Sequence, residues 1–100
     1  MVKEINKEEF EKEVINSNIP VLVDFYANWC GPCMMLKPIL NEIESDKVKI
    51  VSINVDDSMN IATKYNISTI PCLILINNGS EVKRNIGLVS KEEIEKFIGI

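Results

Sequence analysis

Hydrophobic positions along this chain form short, nearly continuous runs that alternate with segments of helical periodicity. Val21–Tyr26 is apolar except for Asp24, which is typical of a central strand buried on both faces. The turn sequence Asn77–Ser80 separates the last two runs, as in a β-hairpin. The predicted strands are residues 2–5, 21–26, 48–55, 72–76 and 81–86.

Four segments outside the strands are predicted to form helices. The first and last begin with capping boxes, Asn6–Glu9 and Ser90–Glu93, in which a side chain caps the helix and a glutamate reaches back. The second extends from about residue 33 to 44, with apolar residues at helical spacing. The third is short and is capped by Asp57 or Ser58.

The order of these elements, β-α-β-α-β-α-β-β-α, predicts an α/β fold. Strands joined by helices are expected to be parallel with right-handed crossovers, and the last two strands are expected to form an antiparallel hairpin. The prediction is therefore a mixed central sheet with helices on both faces. We expect residues 1–100 to form a single domain.

Composition favours a globular protein that binds neither nucleic acid nor membrane. The chain has 100 residues, of which 46% are apolar and 26% charged, so a real core is expected. Its net charge of −4 leaves no basic patch for nucleic acid or an anionic membrane. The polar N-terminus lacks the apolar region of a signal peptide, and no run is long enough to span a bilayer. We therefore predict a cytoplasmic protein, in a compartment where thiols stay reduced.

The motif Trp29–Cys33 places two cysteines, Cys30 and Cys33, at the junction between a predicted strand and a predicted helix. A thiol at a helix N-terminus meets the positive end of the helix dipole and free N–H groups, and both favour the nucleophilic thiolate. A Cys-x-x-Cys pair beside a βαβ pattern therefore predicts a redox site. A structural zinc site is disfavoured, because it needs a full tetrahedral set of ligands and the chain has three cysteines and no histidine.

These cysteines belong to a longer series of residues by which the chain resembles the thioredoxin family over essentially its whole length. The residues that carry the resemblance are Val23–Cys33, Pro38–Leu40, Asn54–Asp56, Ile70–Pro71, Asn78–Gly79 and Gly87. The resemblance implies the thioredoxin fold, with a five-stranded sheet in the order 1-3-2-4-5 and four helices. It also implies that the Ile70–Pro71 bond is cis and packs against the turn that holds the cysteines.

The resemblance implies a chemical role for the residues at and before this turn. Cys30 is the attacking thiolate, and Cys33 resolves the mixed disulfide formed with the substrate. Gly31 permits the tight turn, while Pro32 stiffens it and favours a strongly reducing couple. Asp24 is expected to be buried rather than on an exposed edge strand, and burial raises the pKa of a carboxyl. In the family this carboxyl exchanges a proton with the second cysteine through water.

A substrate-binding surface around the motif is also implied. Trp29 is expected to shield the disulfide and offer a flat contact surface, with ordinary core packing as the alternative. The backbone of Ile70, next to a cis Pro71, would be free to pair with an extended substrate, as in β-augmentation. Gly87 and Val89 would line the same groove. A plain loop is the alternative for Ile70 and Pro71.

Besides Tyr26, which conservatively replaces a tryptophan frequent in the family, three residues depart from the family's pattern. Met34 follows Cys33 where a lysine or arginine is common, so a positive charge near the dithiol is lost. Ser52 replaces a lysine that many members carry near the buried carboxyl, so we expect Asp24 to be harder to ionise. Cys72 stands where threonine is usual. It is either a small buried side chain or a third redox thiol, and a bridge to the pair needs Cα atoms within about 7 Å.

The implied activity is reduction of protein disulfides by dithiol–disulfide exchange. No cofactor is expected to be bound, because electrons would come from an NADPH-dependent flavoenzyme, a thioredoxin reductase. The other partners would be disulfide-containing proteins, and a monomer is expected. A disulfide oxidase or isomerase would carry histidine between the cysteines, where this chain has Gly31 and Pro32. A glutaredoxin-like enzyme would show a Pro–aromatic pair there, and a non-catalytic binding subunit of a larger enzyme is a further alternative.

Overall fold

A five-stranded mixed sheet forms the centre of the computed structural model, which describes residues 2–99. The strands are β1 (Val2–Ile5), β2 (Val21–Tyr26), β3 (Lys49–Asn54), β4 (Cys72–Asn77) and β5 (Ser80–Ile86). Their order in the sheet is β1-β3-β2-β4-β5. β3 pairs in parallel with β1 and β2, while β4 pairs antiparallel with β2 and β5. The predicted mixed sheet and its implied strand order are confirmed.

Four helical segments cover the sheet, as predicted. An N-terminal helical segment consists of a 3-10 turn (Lys7–Glu9) followed by a π-helical stretch (Glu11–Ile15), and α1 (Gly31–Asn41), α2 (Met59–Lys64) and α3 (Lys91–Ile98) follow it along the chain. The capping box at Asn6 has both of its hydrogen bonds. At α3, Ser90 accepts from the backbone N–H of Glu93 at 3.1 Å, which is one half of the predicted box.

The helix that carries the cysteines begins two residues earlier than predicted, at Gly31, and ends at Asn41. Cys30 is its N-cap residue with extended backbone angles, and Pro32 lies in the first turn. Proline is well suited to that turn, because a helix's first N–H groups have no partner within the helix. The early start therefore places Cys30 directly at the helix N-terminus.

The core divides into clusters on the two faces of the sheet. Alternate residues of β2 point to opposite faces, so Val23 and Phe25 pack with the N-terminal helical segment, while Leu22 packs with α1 and α3. By this alternation Asp24 lies on the α1 face with Leu22. Cys72 belongs to the cluster on the other face, with Phe25.

Candidate active site

The site begins with a disulfide at the N-terminus of α1. It joins Cys30 and Cys33, whose Cα atoms are 5.2 Å apart. Cys33 is fully buried, whereas Cys30 retains 5% of its surface exposed. The backbone N–H of Cys33 donates to the sulfur of Cys30 at 3.2 Å. A thiolate on Cys30 would keep this donor and the positive end of the α1 dipole, both of which stabilise a negative sulfur.

The proline loop before β4 packs against this turn. The Ile70–Pro71 peptide bond is cis, as the resemblance implied. The carbonyl oxygen of Ile70 lies 3.8 Å from the sulfur of Cys30, and the Ile70 side chain packs on the cluster that contains both cysteines. The backbone N–H of Gly87 donates to the carbonyl of Pro71 at 2.8 Å. The structure therefore brings together the disulfide turn, the proline loop and the end of β5.

Val89, which the resemblance places in the same groove as Gly87, is half-buried. It packs with the core cluster of α1 and α3 and lines a cavity of about 50 Å³ with Leu73 and Phe97. Of the two residues assigned to the groove beyond the proline loop, Gly87 is the one that a hydrogen bond joins to that loop.

Trp29 is held on the surface beside the disulfide turn. Its side chain is 72% exposed, which rules out core packing as the reason for a tryptophan here. The indole N–H donates to a carboxylate oxygen of Asp56 at 2.8 Å. Asp56 is in turn fixed by its backbone N–H, which donates to the side chain of Asn54 at 2.8 Å. In the sequence, Asp56 was noted only as part of a family motif. Its hydrogen bond with Trp29 could not be predicted, because the two residues are far apart along the chain.

Asp24 is the only carboxyl among the fully buried side chains of residues 2–99, and it is 0% exposed. The hydroxyl of Ser52 donates to its Oδ2 at 3.1 Å, while its Oδ1 has no hydrogen-bond partner within the described chain. Burial raises the pKa of Asp24 from 3.8 to about 6, and the hydrogen bond from Ser52 opposes the rise. The alternative of an exposed edge-strand aspartate is thus wrong.

Lys37 is a neighbour of this carboxyl that sequence reasoning missed. Its ammonium lowers the pKa of Asp24. Lys37 on α1 therefore supplies a positive charge that the family's lysine at the position of Ser52 would otherwise supply. The Nζ atom lies 3.5 Å from the centre of the Tyr26 ring and 3.8 Å from Oε1 of Glu4. Lys37 is four residues after Cys33, and residues at that spacing share one face of a helix. That spacing was the available indication.

Cys72 packs in a different core cluster from the two cysteines of the disulfide. Along β4 it alternates with Leu73 and shares the apolar cluster of Phe25 and Ile74, on the face of the sheet opposite α1. It is free and 1% exposed, and burial raises the pKa of its thiol. These contacts are those of a small core side chain.

Neither a metal site nor a membrane helix is found in the part of the chain that the structure describes. Residues 2–99 contain no group of three or more His, Cys, Asp or Glu side chains that could hold a metal ion. Within the same residues, no helix is both long and apolar enough to cross a bilayer.

Known proteins are similar in sequence to this chain over nearly its full length. The thioredoxin family model matches residues 1–99. The thioredoxin of Haemophilus influenzae is 44% identical over 100 residues, which span 97% of this chain and 94% of that protein. The thioredoxin of Rickettsia felis is 43% identical over 101 residues, with 98% and 96% covered. The thioredoxin of Pyropia yezoensis is 44% identical over 96 residues, with 93% and 90% covered.

The similarity and the geometry agree. The family match includes the disulfide turn, the buried carboxyl and the cis proline, and the strand order is the one that the resemblance implied. The chain belongs to the thioredoxin family of thiol–disulfide oxidoreductases.

Proposed function

We propose that this protein is a general protein-disulfide reductase in which Cys30 is the nucleophile and Cys33 the resolving thiol. The observation that carries the proposal is the difference in surroundings between the two sulfurs. Cys30 caps α1 at the edge of the site, 3.8 Å from the Ile70 carbonyl, whereas Cys33 is completely buried. An incoming disulfide can therefore approach Cys30 and not Cys33.

The exchange proceeds in two displacements. The Cys30 thiolate attacks one sulfur of the substrate disulfide, so that a mixed disulfide forms and the other substrate sulfur leaves as a thiolate. Cys33 then loses its proton and attacks the sulfur of Cys30. The second substrate thiolate leaves, and the Cys30–Cys33 disulfide is formed. Two electrons pass from the dithiol to the substrate, whose two sulfurs take up protons.

Asp24 is proposed as the group that accepts the proton of Cys33 through water and later returns it. Cys33 cannot give its proton directly to bulk solvent because it is fully buried. Asp24 lies under the same helix, and its pKa of about 6 lets it change protonation state near neutral pH. A carboxyl with an ordinary pKa would hold a proton from a thiol less readily.

The surface around the disulfide is proposed to bind an extended segment of the substrate. The Ile70 backbone, whose carbonyl lies beside the Cys30 sulfur, would pair with the substrate main chain, and Gly87 would border the same groove. Trp29 and Met34 are 72% and 37% exposed and would supply apolar contact. Contacts to the main chain suit a reductase that acts on many proteins, because they do not depend on the substrate's sequence.

The oxidised protein is proposed to be recycled by a thioredoxin reductase that takes electrons from NADPH through a flavin. We propose that the protein acts as a single-domain monomer in the cytoplasm, where such a system keeps thiols reduced. The turn residues Gly31 and Pro32 support a reductase over an oxidase or isomerase.

A redox titration tests the proposal. The protein is equilibrated in buffers of defined dithiothreitol ratio, alkylated under denaturing conditions, and analysed by peptide mass spectrometry. We expect Cys30 and Cys33 to become protected together at a midpoint below about −250 mV, with Cys72 alkylated throughout. A midpoint at or above the glutathione potential would contradict reductase function and favour oxidase or isomerase activity. The Cys72→Ser variant is the matched control and should keep the same midpoint.

A further inference from the structure

A cleft opens next to Asp24 on the face of the sheet that α1 covers. Its volume is about 120 Å³, which is well above the ~15 Å³ that one water needs. The residues that line it come from β1, β3 and α1: Val2, Glu4, Lys37, Leu40, Asn41 and Ser52. Four of these six residues are polar or charged, in contrast to the apolar core around the cleft.

Ser52 connects this cleft to the buried carboxyl. It lines the cleft, and its hydroxyl donates to Oδ2 of Asp24 at 3.1 Å. The two residues lie opposite each other in the parallel pairing of β2 and β3. A hydroxyl can donate and accept at the same time, so it can receive a proton on one side and release its own on the other.

The charged groups around the cleft are arranged in one cluster. Lys37 of α1 lies 3.8 Å from Oε1 of Glu4, and the hydroxyl of Tyr26 donates to Oε2 of Glu4 at 2.7 Å. Lys37 favours the ionised form of Asp24, and Glu4 opposes it. β3 and β4 place neutral residues opposite Asp24. Lys37 is thus the cation that balances the charge of this carboxylate.

From these contacts we propose that the cleft is the route by which Asp24 exchanges its proton with solvent, with Ser52 as the relaying hydroxyl and Lys37 as the positioning cation. This inference rests on the proton transfer between Cys33 and Asp24 proposed above. When Asp24 has been protonated, it passes a proton to Oγ of Ser52 while the hydroxyl gives its own proton to water in the cleft. The carboxylate is restored, its charge is stabilised by Lys37, and no electrons move.

The test follows the two displacements separately. The reduced protein is mixed with excess 5,5′-dithiobis(2-nitrobenzoate) in a stopped-flow instrument over a range of pH. The first release of coloured thiolate reports attack by Cys30, and the second reports resolution by Cys33. In Ser52→Ala and Lys37→Met we expect the pH midpoint of the second phase to rise by about half a unit, which slows it about threefold below the midpoint. The first phase should not change.

Matched variants separate this route from general effects on structure and charge. Ser52→Thr keeps a hydroxyl and Lys37→Arg keeps a cation, so both should restore the parent midpoint. Lys12→Met makes the same change in net charge at an exposed position of the N-terminal helical segment, and should leave both phases unchanged. A shift in Lys12→Met as large as that in Lys37→Met would overturn the role of Lys37.

The Asp24→Asn variant distinguishes failure of the route from failure of the proposed function. It should slow the second phase, and in its background Ser52→Ala and Lys37→Met should have no further effect. If Asp24→Asn alters the second phase but the midpoints of Ser52→Ala and Lys37→Met stay at the parent value, the route alone is overturned. If Asp24→Asn leaves the second phase unchanged at every pH, the role of Asp24 fails and the route fails with it.

Discussion

Asp24 is a carboxyl that the fold holds away from water, so its ionisation opposes folding. Its pKa is about 6 in the native protein and 3.8 without burial, which means that the native state binds more protons between these values. This acid therefore differs from one whose pKa is lowered by folding. The stability that protonated Asp24 contributes is fully present below about pH 4 and is lost as the pH rises through about 6. By pH 7 the free energy of unfolding is lower by about 3 kcal/mol.

The Asp24→Asn variant removes this cost. We expect it to be more stable than the parent at about pH 7, by up to about 3 kcal/mol, and to differ little at about pH 4. Urea unfolding at a series of pH values, followed by circular dichroism, measures the difference. The expectation is wrong if the parent's free energy of unfolding is as flat as the variant's between these two pH values.

Burial is expected to make the thiol of Cys72 unreactive. It is 1% exposed and burial raises the pKa of its thiol, so little thiolate is formed and little reagent can reach it. In brief labelling of the reduced native protein with iodoacetamide at about pH 8, we expect Cys30 to be modified and Cys72 to be spared. Peptide mass spectrometry gives the extent at each site. Equal labelling of Cys72 before and after unfolding would show that it is accessible and reactive.

At the scale of elements, the ends of helices depend on individual side chains. Ser90 accepts a hydrogen bond from the N–H of Glu93 at the start of α3, whereas Ser58 at the start of α2 makes no such bond and its buried hydroxyl has no partner within residues 2–99. Ser90 was predicted to cap its helix as part of a capping box, whereas Ser58 was one of two alternatives, with Asp57, for the cap of the third helix. Each helix begins directly after its serine, but the capping hydrogen bond forms only at Ser90.

The two serines therefore make a matched pair for mutation. Ser90→Ala should lower the free energy of unfolding by about 1 kcal/mol, because an N-cap bond is lost. Ser58→Ala should cost nothing or be stabilising, because an unpaired hydroxyl is removed from the interior. Chemical denaturation of both variants gives the comparison. A loss at Ser58→Ala equal to that at Ser90→Ala would mean that the hydroxyl of Ser58 is satisfied in solution.

At the scale of the whole molecule, the sheet separates redox chemistry from a purely structural core. The strands, their order and the cysteine pair could be predicted, because they depend on local pattern and on the family motif. The sequence shows that Cys72 directly follows Pro71, but only the complete sheet shows that Cys72 points away from α1. Likewise Lys37 reaches Glu4, 33 positions earlier in the chain, only after β1 has paired at the edge next to β3.

This separation predicts that the two faces respond differently to substitution. Ile74 is fully buried on the face opposite α1, and Ile74→Val should lower the free energy of unfolding by about 1 kcal/mol through loss of a methylene. It should leave the redox midpoint and both kinetic phases unchanged, because no group that touches Asp24 or the disulfide moves.

Lys37→Met on the α1 face should shift the pH profile of the second kinetic phase and change the free energy of unfolding less than Ile74→Val does. The change in stability is small because Lys37 is partly exposed and its ion pair with Glu4 lies at the surface. Parallel denaturation and stopped-flow measurements on the two variants check this. A pH shift in Ile74→Val as large as that in Lys37→Met would show that the sheet transmits changes between its faces.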